Sequence, residues 1–197
     1  SMAENLNISY IRLVTKGIIC VDLRNHSFKT YQTGINELYT IEDNDVNIVY
    51  EDTKKRIWMG TSSGLSLFDY TTERFSNYSD KKISTPVLEI TEDPDGNLWC
   101  KTANGLLYFH TQTKTFTKYN SNEHEPGTLQ DDINTIFIDK QGTLWIVTRY
   151  NGLYLANWKR SGFTLYKNTP NQNYTGGTTF NFAESKDGTI SLPDSAT

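Results

Sequence analysis

Apolar residues fall in short runs along this chain, some alternating with polar residues and some continuous, and turn residues break every run. No stretch sustains the 3.6-residue spacing of an amphipathic helix, so the pattern predicts strands throughout. The runs recur as a set. Three copies align as VNIVYEDTKKRIWMGTSSGLSLFDYTTERFSNY (46–78), VLEITEDPDGNLWCKTANGLLYFHTQTKTFTKY (87–119) and INTIFIDKQGTLWIVTRYNGLYLANWKRSGFTLY (133–166), each divisible into four strands, A to D.

Strand A is β-branched and ends in a turn such as Asp93-Pro94-Asp95-Gly96, which is hairpin chemistry. Strand B carries Ile57-Trp58, Leu98-Trp99 and Leu144-Trp145, where neighbours that face opposite sides are both large and apolar. That pattern implies burial on both faces and hence sheets stacked on one another. A second tight turn, with Ser63-Gly64, Asn104-Gly105 or Asn151-Gly152, leads into strand C, and strand D closes the unit with a Phe-x-x-Tyr edge.

The Gly, Phe and Tyr recur in register four times: Gly17, Phe28 and Tyr31; Gly64, Phe75 and Tyr78; Gly105, Phe116 and Tyr119; Gly152, Phe163 and Tyr166. The glycines stand 47, 41 and 47 residues apart, a fixed core with variable connections. Four antiparallel strands in roughly 40 to 45 residues, covered on both faces, describe a β-propeller blade. The expected fold is all-β: a β-propeller of about four blades, or part of a larger one. Residues 8–31 supply strands B, C and D of a first blade, and residues 179–192 supply strand A and the start of B of a last one, with Ser191 where the tryptophan would fall. Closure within the chain or self-association would protect the unfinished edges.

Composition narrows the function. With 19 Lys+Arg against 23 Asp+Glu the net charge is −4, and there is no basic run, so neither a nucleic acid nor a membrane surface is an expected partner. No run approaches the roughly 18 apolar residues of a spanning helix, and the opening SMAENLN carries no signal-peptide apolar core. Cys20 and Cys100 lie inside strand runs without metal spacing and read as buried free thiols.

Several motifs resemble one family. Glu51-Asp52, Ile57-Trp58-Met59-Gly60-Thr61 and Gly64-Leu65, followed by Phe68-Asp69-x-x-Thr72-x-x-Phe75, are similar to the two-component regulator propeller repeat. Pro126-Gly127-Thr128-Leu129 leading to Asp139-Lys140-Gln141-Gly142-Thr143-Leu144-Trp145 repeats the likeness, which covers about residues 10 to 190. The resemblance implies part of the periplasmic sensor region of a hybrid two-component histidine kinase anchored in the inner membrane of a Bacteroides-type bacterium. Such sensors respond to oligosaccharides and regulate polysaccharide-utilisation genes. Lys101 and Val147 depart from the glycine that the family prefers before the strand-B threonine.

Catalytic chemistry finds little support in the residues. His26, His110 and His124 share no ligand spacing, and no nucleophile elbow, zinc-protease or phosphate-loop motif occurs. Asp93-x-Asp95-Gly96-Asn97 is like the start of a calcium loop but lacks the distal Glu, so the hairpin turn is the better reading. No catalytic residue, metal or cofactor is expected. A propeller glycoside hydrolase or lyase is the alternative, and it would need a pair of inward carboxylates, for which the A strands offer Glu51, Glu92 and Glu184. A purely protein-binding scaffold is a third reading.

A ligand would meet the most variable face, which joins the B–C turns to the D–A connections 32–45, 79–86, 120–132 and 167–178. There Tyr150 would stack on a sugar ring while Arg149, Asn151 and Asn104 hydrogen-bond hydroxyls or a uronic carboxylate. The expected partners are an oligosaccharide and neighbouring propeller or sensor domains of the parent.

Overall fold

The computed structural model describes residues 8–13, 17–34, 40–79, 85–119, 133–149, 153–157, 164–166, 183–184 and 190–191. All regular structure among them is strand. β1 (Ile8–Leu13), β2 (Gly17–Asp22) and β3 (Ser27–Tyr31) form a three-stranded sheet. β4 (Val46–Glu51), β5 (Ile57–Thr61), β6 (Leu65–Asp69) and β7 (Arg74–Tyr78) form a four-stranded meander. The order repeats in β8 (Val87–Glu92), β9 (Leu98–Thr102), β10 (Gly105–His110) and β11 (Thr115–Tyr119). It repeats again in β12 (Ile133–Ile138), β13 (Thr143–Thr148), β14 (Leu153–Asn157) and β15 (Thr164–Tyr166). β16 (Ala183–Glu184) pairs with β17 (Ile190–Ser191). Every pairing with a resolved register is antiparallel.

The chain divides into two compact units, Ser1–Ile90 and Thr91–Thr197. In the first, Ile18, Cys20 and Tyr31 of the first sheet share a core with Val46, Ile57, Met59 and Phe68 of the second. In the other unit, Trp99, Leu106 and Tyr108 pack with Ile136, Leu144, Ile146 and Tyr154. Each core therefore lies between two sheets, as the apolar B and C strands demand. All five residues of β5 are buried, which requires cover on both faces. Trp145 departs from that pattern: it is half-buried where Trp58 and Trp99 are 0% and 4% exposed. The D strands β7 and β11 keep only their Phe and Tyr half-buried, as befits an outer edge.

The recurrent Gly and Tyr are explained by one close approach. Leu65 pairs with Tyr78, so the preceding Gly64, at φ 152°, lies against the Tyr78 carbonyl, and a Cβ there would stand 2.8 Å from that oxygen. At Gly17, with φ 84°, the same atom would stand 2.1 Å from the Tyr31 carbonyl oxygen. Only glycine fits both the conformation and the space.

Candidate functional site

Two ends of the sheets have different chemistry. At the A–B end a buried aspartate organises each hairpin. Oδ1 of Asp52 accepts from the backbone N–H groups of Lys54 and Arg56, both at 2.9 Å, and Oδ2 accepts from the Trp58 indole at 2.8 Å. Asp139 repeats this with Gln141, Thr143 and, at 2.7 Å, the Trp145 indole. Asp93 binds the N–H groups of Asp95 and Asn97, but its Oδ2 receives the Tyr108 hydroxyl at 2.5 Å. Trp99 Nε1 is left buried without a partner. These carboxylates are spent on turn N–H groups and an aromatic donor, which is why Asp93-x-Asp95-Gly96-Asn97 is a turn. Among the described residues no cluster of three or more His, Cys, Asp or Glu could hold a metal.

The B–C end is the face on which ligand contacts are expected. In the first unit its acids are engaged locally: Ser62 Oγ donates to Asp45 Oδ2 at 3.0 Å and Ser63 Oγ to Asp43 Oδ2 at 2.7 Å. The Gly17 N–H donates to the Asn44 carbonyl, and Asn44 Nδ2 to Thr33 Oγ1, so Asn44 ties the two ends of the connection to each other and to the start of β2. Asp43 and Asp45 are thus part of the turn structure.

The other unit carries the expected contact residues. Asn104 is exposed in the β9–β10 turn, where its N–H donates to Thr102 Oγ1 at 3.2 Å. Arg149 is exposed at the end of β13, the corresponding turn of the next sheet. The two therefore sit at the same end of successive sheets. Tyr150 and Asn151 lie outside the described residues, as do Gly152, Phe163 and His124. His26 is exposed in the β2–β3 turn, and His110 is at the end of β10, where its ring lies 4.6 Å from that of Tyr108. Glu51 is exposed and Glu92 buried, although they hold equivalent places at the ends of their A strands.

Sequence reasoning passed over a further set. Between the first two sheets, Cys20 and Tyr31 border a cavity with Asp22, Lys29 and Glu73. Burial raises the Cys20 thiol and the Tyr31 phenol above their ordinary values, and both are raised further by Glu73. The Arg24 side chain beside Asp22 holds its carboxyl down at about 2. Only the change from Phe75-like packing at Phe28 could have flagged the region, and it is invisible until the sheets are placed.

The comparisons with known proteins agree with the motifs. Residues 128–150 match the family model described as two component regulator propeller, so the chain carries a repeat of that kind. Among solved structures it is similar to the extracellular domain described as that of hybrid two component system BT4673 from B. thetaiotaomicron, at 17% identity and a TM-score of 0.71, over 90% of this chain and 24% of that one. The corresponding domain of BT3049 from the same organism gives 19% identity, a TM-score of 0.50 and coverage of 96% and 31%. Virginiamycin B lyase from Staphylococcus aureus gives 14%, 0.69, and 97% against 61%. The fold is therefore a β-propeller, and the chain spans about a quarter of the length of the first of these relatives. A comparison with curated protein sequences finds no match.

Proposed function

We propose that this chain is a non-catalytic sensor propeller from the extracytoplasmic part of a hybrid two-component regulator. The match of residues 128–150 to the two component regulator propeller carries the reading. The likeness to extracellular domains of such systems supports it at the level of fold. Because the same fold also serves a lyase, function has to be argued from the site.

The signal is an oligosaccharide, met at the B–C end by Asn104, Arg149, Tyr150 and Asn151. Asn104 and Arg149 are exposed there, while His26 and His110 lie in or beside C–D turns and the hairpin aspartates are committed to A–B turns. Exposed amide and guanidinium groups suit hydroxyl and carboxylate recognition without bond cleavage. The propeller stands in the periplasm as part of a membrane-anchored kinase, alongside further propeller or sensor domains. Thermal melting against plant and host oligosaccharides tests this: one class should raise the melting temperature, and Tyr150→Ala should abolish the rise.

A further inference from the structure

A cavity of about 220 Å³ opens between the first two sheets. Its floor is Cys20 and Tyr31, each 8% exposed. Tyr70 and Phe28 also line it. Phe28 is 69% exposed, whereas Phe75, which holds the same place in the next sheet, is half-buried against Tyr31 and Phe68 with ring centroids 5.6 and 4.8 Å away. The repeat thus leaves one aromatic ring uncovered, and it lines this cavity.

The charge of the lining is unbalanced. Asp22 and Glu73 both border the cavity, and the one cation among the lining residues is Lys29, which is paired with Glu73 across the two sheets. Arg24 grips Asp22 from outside the lining. The Cys20 thiol reports the resulting field: after burial, Asp22 and Glu73 push its ionisation up, and the opposing pull of Lys29 is the smallest of these effects. Lys29 already sets an ammonium group beside this aromatic and carboxylate wall.

We propose that this cavity binds a small organic cation, an alkylated ammonium group held among the rings of Phe28, Tyr31 and Tyr70 with the carboxylates of Asp22 and Glu73 as counter-charge. Aromatic π faces attract a weakly hydrated cation, and a carboxylate nearby adds to the attraction. A strongly hydrated ammonium such as that of lysine gains less from the rings than an alkylated one. The volume suits a ligand of a few carbon atoms around one nitrogen. This site shares no residue with the oligosaccharide reading, and its failure would leave that reading untouched.

Cys20 provides the readout. Modification of the full chain by methyl methanethiosulfonate is followed peptide by peptide, with Cys100, 0% exposed, as internal control. Melting temperature is recorded in parallel. Choline chloride is compared with its neutral isostere 3,3-dimethylbutan-1-ol and with sodium chloride at equal ionic strength. Choline should slow Cys20 modification and raise the melting temperature at millimolar concentration, and the neutral alcohol should need roughly tenfold more for the same effect. Phe28→Ala, a change at an exposed position, should weaken choline binding about fivefold or more. Equal effects of choline and the alcohol, no effect of choline on either readout, or undiminished binding to Phe28→Ala would overturn the proposal.

Discussion

The indole N–H of Trp58 donates to Oδ2 of Asp52 across 2.8 Å, with the two residues 0% and 2% exposed. This bond joins the A–B hairpin to strand B at the point where the strand is covered on both faces. Removing the carboxylate strands two turn N–H groups, the indole and the Arg56 side chain together. Asp52→Ala is expected to lower stability by about 3 kcal/mol, read as a shift of the urea midpoint at unchanged slope.

The middle repeat differs, because the Tyr108 hydroxyl takes the Asp93 oxygen and Trp99 Nε1 has no partner. Replacing an indole by a phenyl ring loses a hydrogen bond in one repeat and none in the other. Trp58→Phe should therefore cost about 1 kcal/mol more than Trp99→Phe in the same denaturation experiment. Equal costs would mean that the indole bond contributes nothing net.

Backbone conformation yields a stabilising change. The third residue after each hairpin aspartate is left-handed: Gly96 at φ 79°, Gly142 at φ 80°, and Lys55 at φ 62°. A lysine there is strained, and its ion pair with Glu51 is exposed. Lys55→Gly should raise stability by about 0.5 kcal/mol, whereas Gly17→Ala, with its Cβ driven into the Tyr31 carbonyl, should cost about 3 kcal/mol.

Cys100 contributes to the alkaline limb of stability, because burial pushes its thiol up to about 12. An unfolded thiol ionises near pH 8.5, so above that pH the unfolded state holds fewer protons than the folded one. Stability should then fall as pH rises from about 9 to about 12, by up to about 1.4 kcal/mol per pH unit from this group alone. Cys100→Ala should flatten that limb when denaturation is measured across the range, and an unchanged slope would refute the assignment.

Much of the fold was legible because the blade unit repeats what its packing needs. Gly64 and Tyr78 recur together because a paired strand end brings one against the carbonyl of the other, and the strand-B tryptophan bonds the hairpin aspartate at Trp58 and Trp145 but not at Trp99. The aspartates were harder to read: Asp93 in sequence is a turn former or a metal ligand, and only the positions of Tyr108 and the turn N–H groups decide. Asp43 and Asp45 lie in a variable connection where no repeat position marks a role, and the structure shows that they hold serines. Phe28 matches Phe75 in the sequence, and its exposure depends on what stands beside the first sheet, which no local pattern encodes. The candidate ligand face was legible only as variability, since its residues lie where the repeat imposes no rule.

The central claim is that the B–C end binds an oligosaccharide and leaves it intact. Isothermal titration calorimetry of the full chain against purified oligosaccharides, with the recovered sugar assayed for new reducing ends, tests it most directly. Saturable binding to one class, weakened at least about tenfold by Arg149→Ala and accompanied by no new reducing ends, is the expected result. Cleavage of the sugar, or binding that Arg149→Ala and Tyr150→Ala leave unchanged, would contradict it.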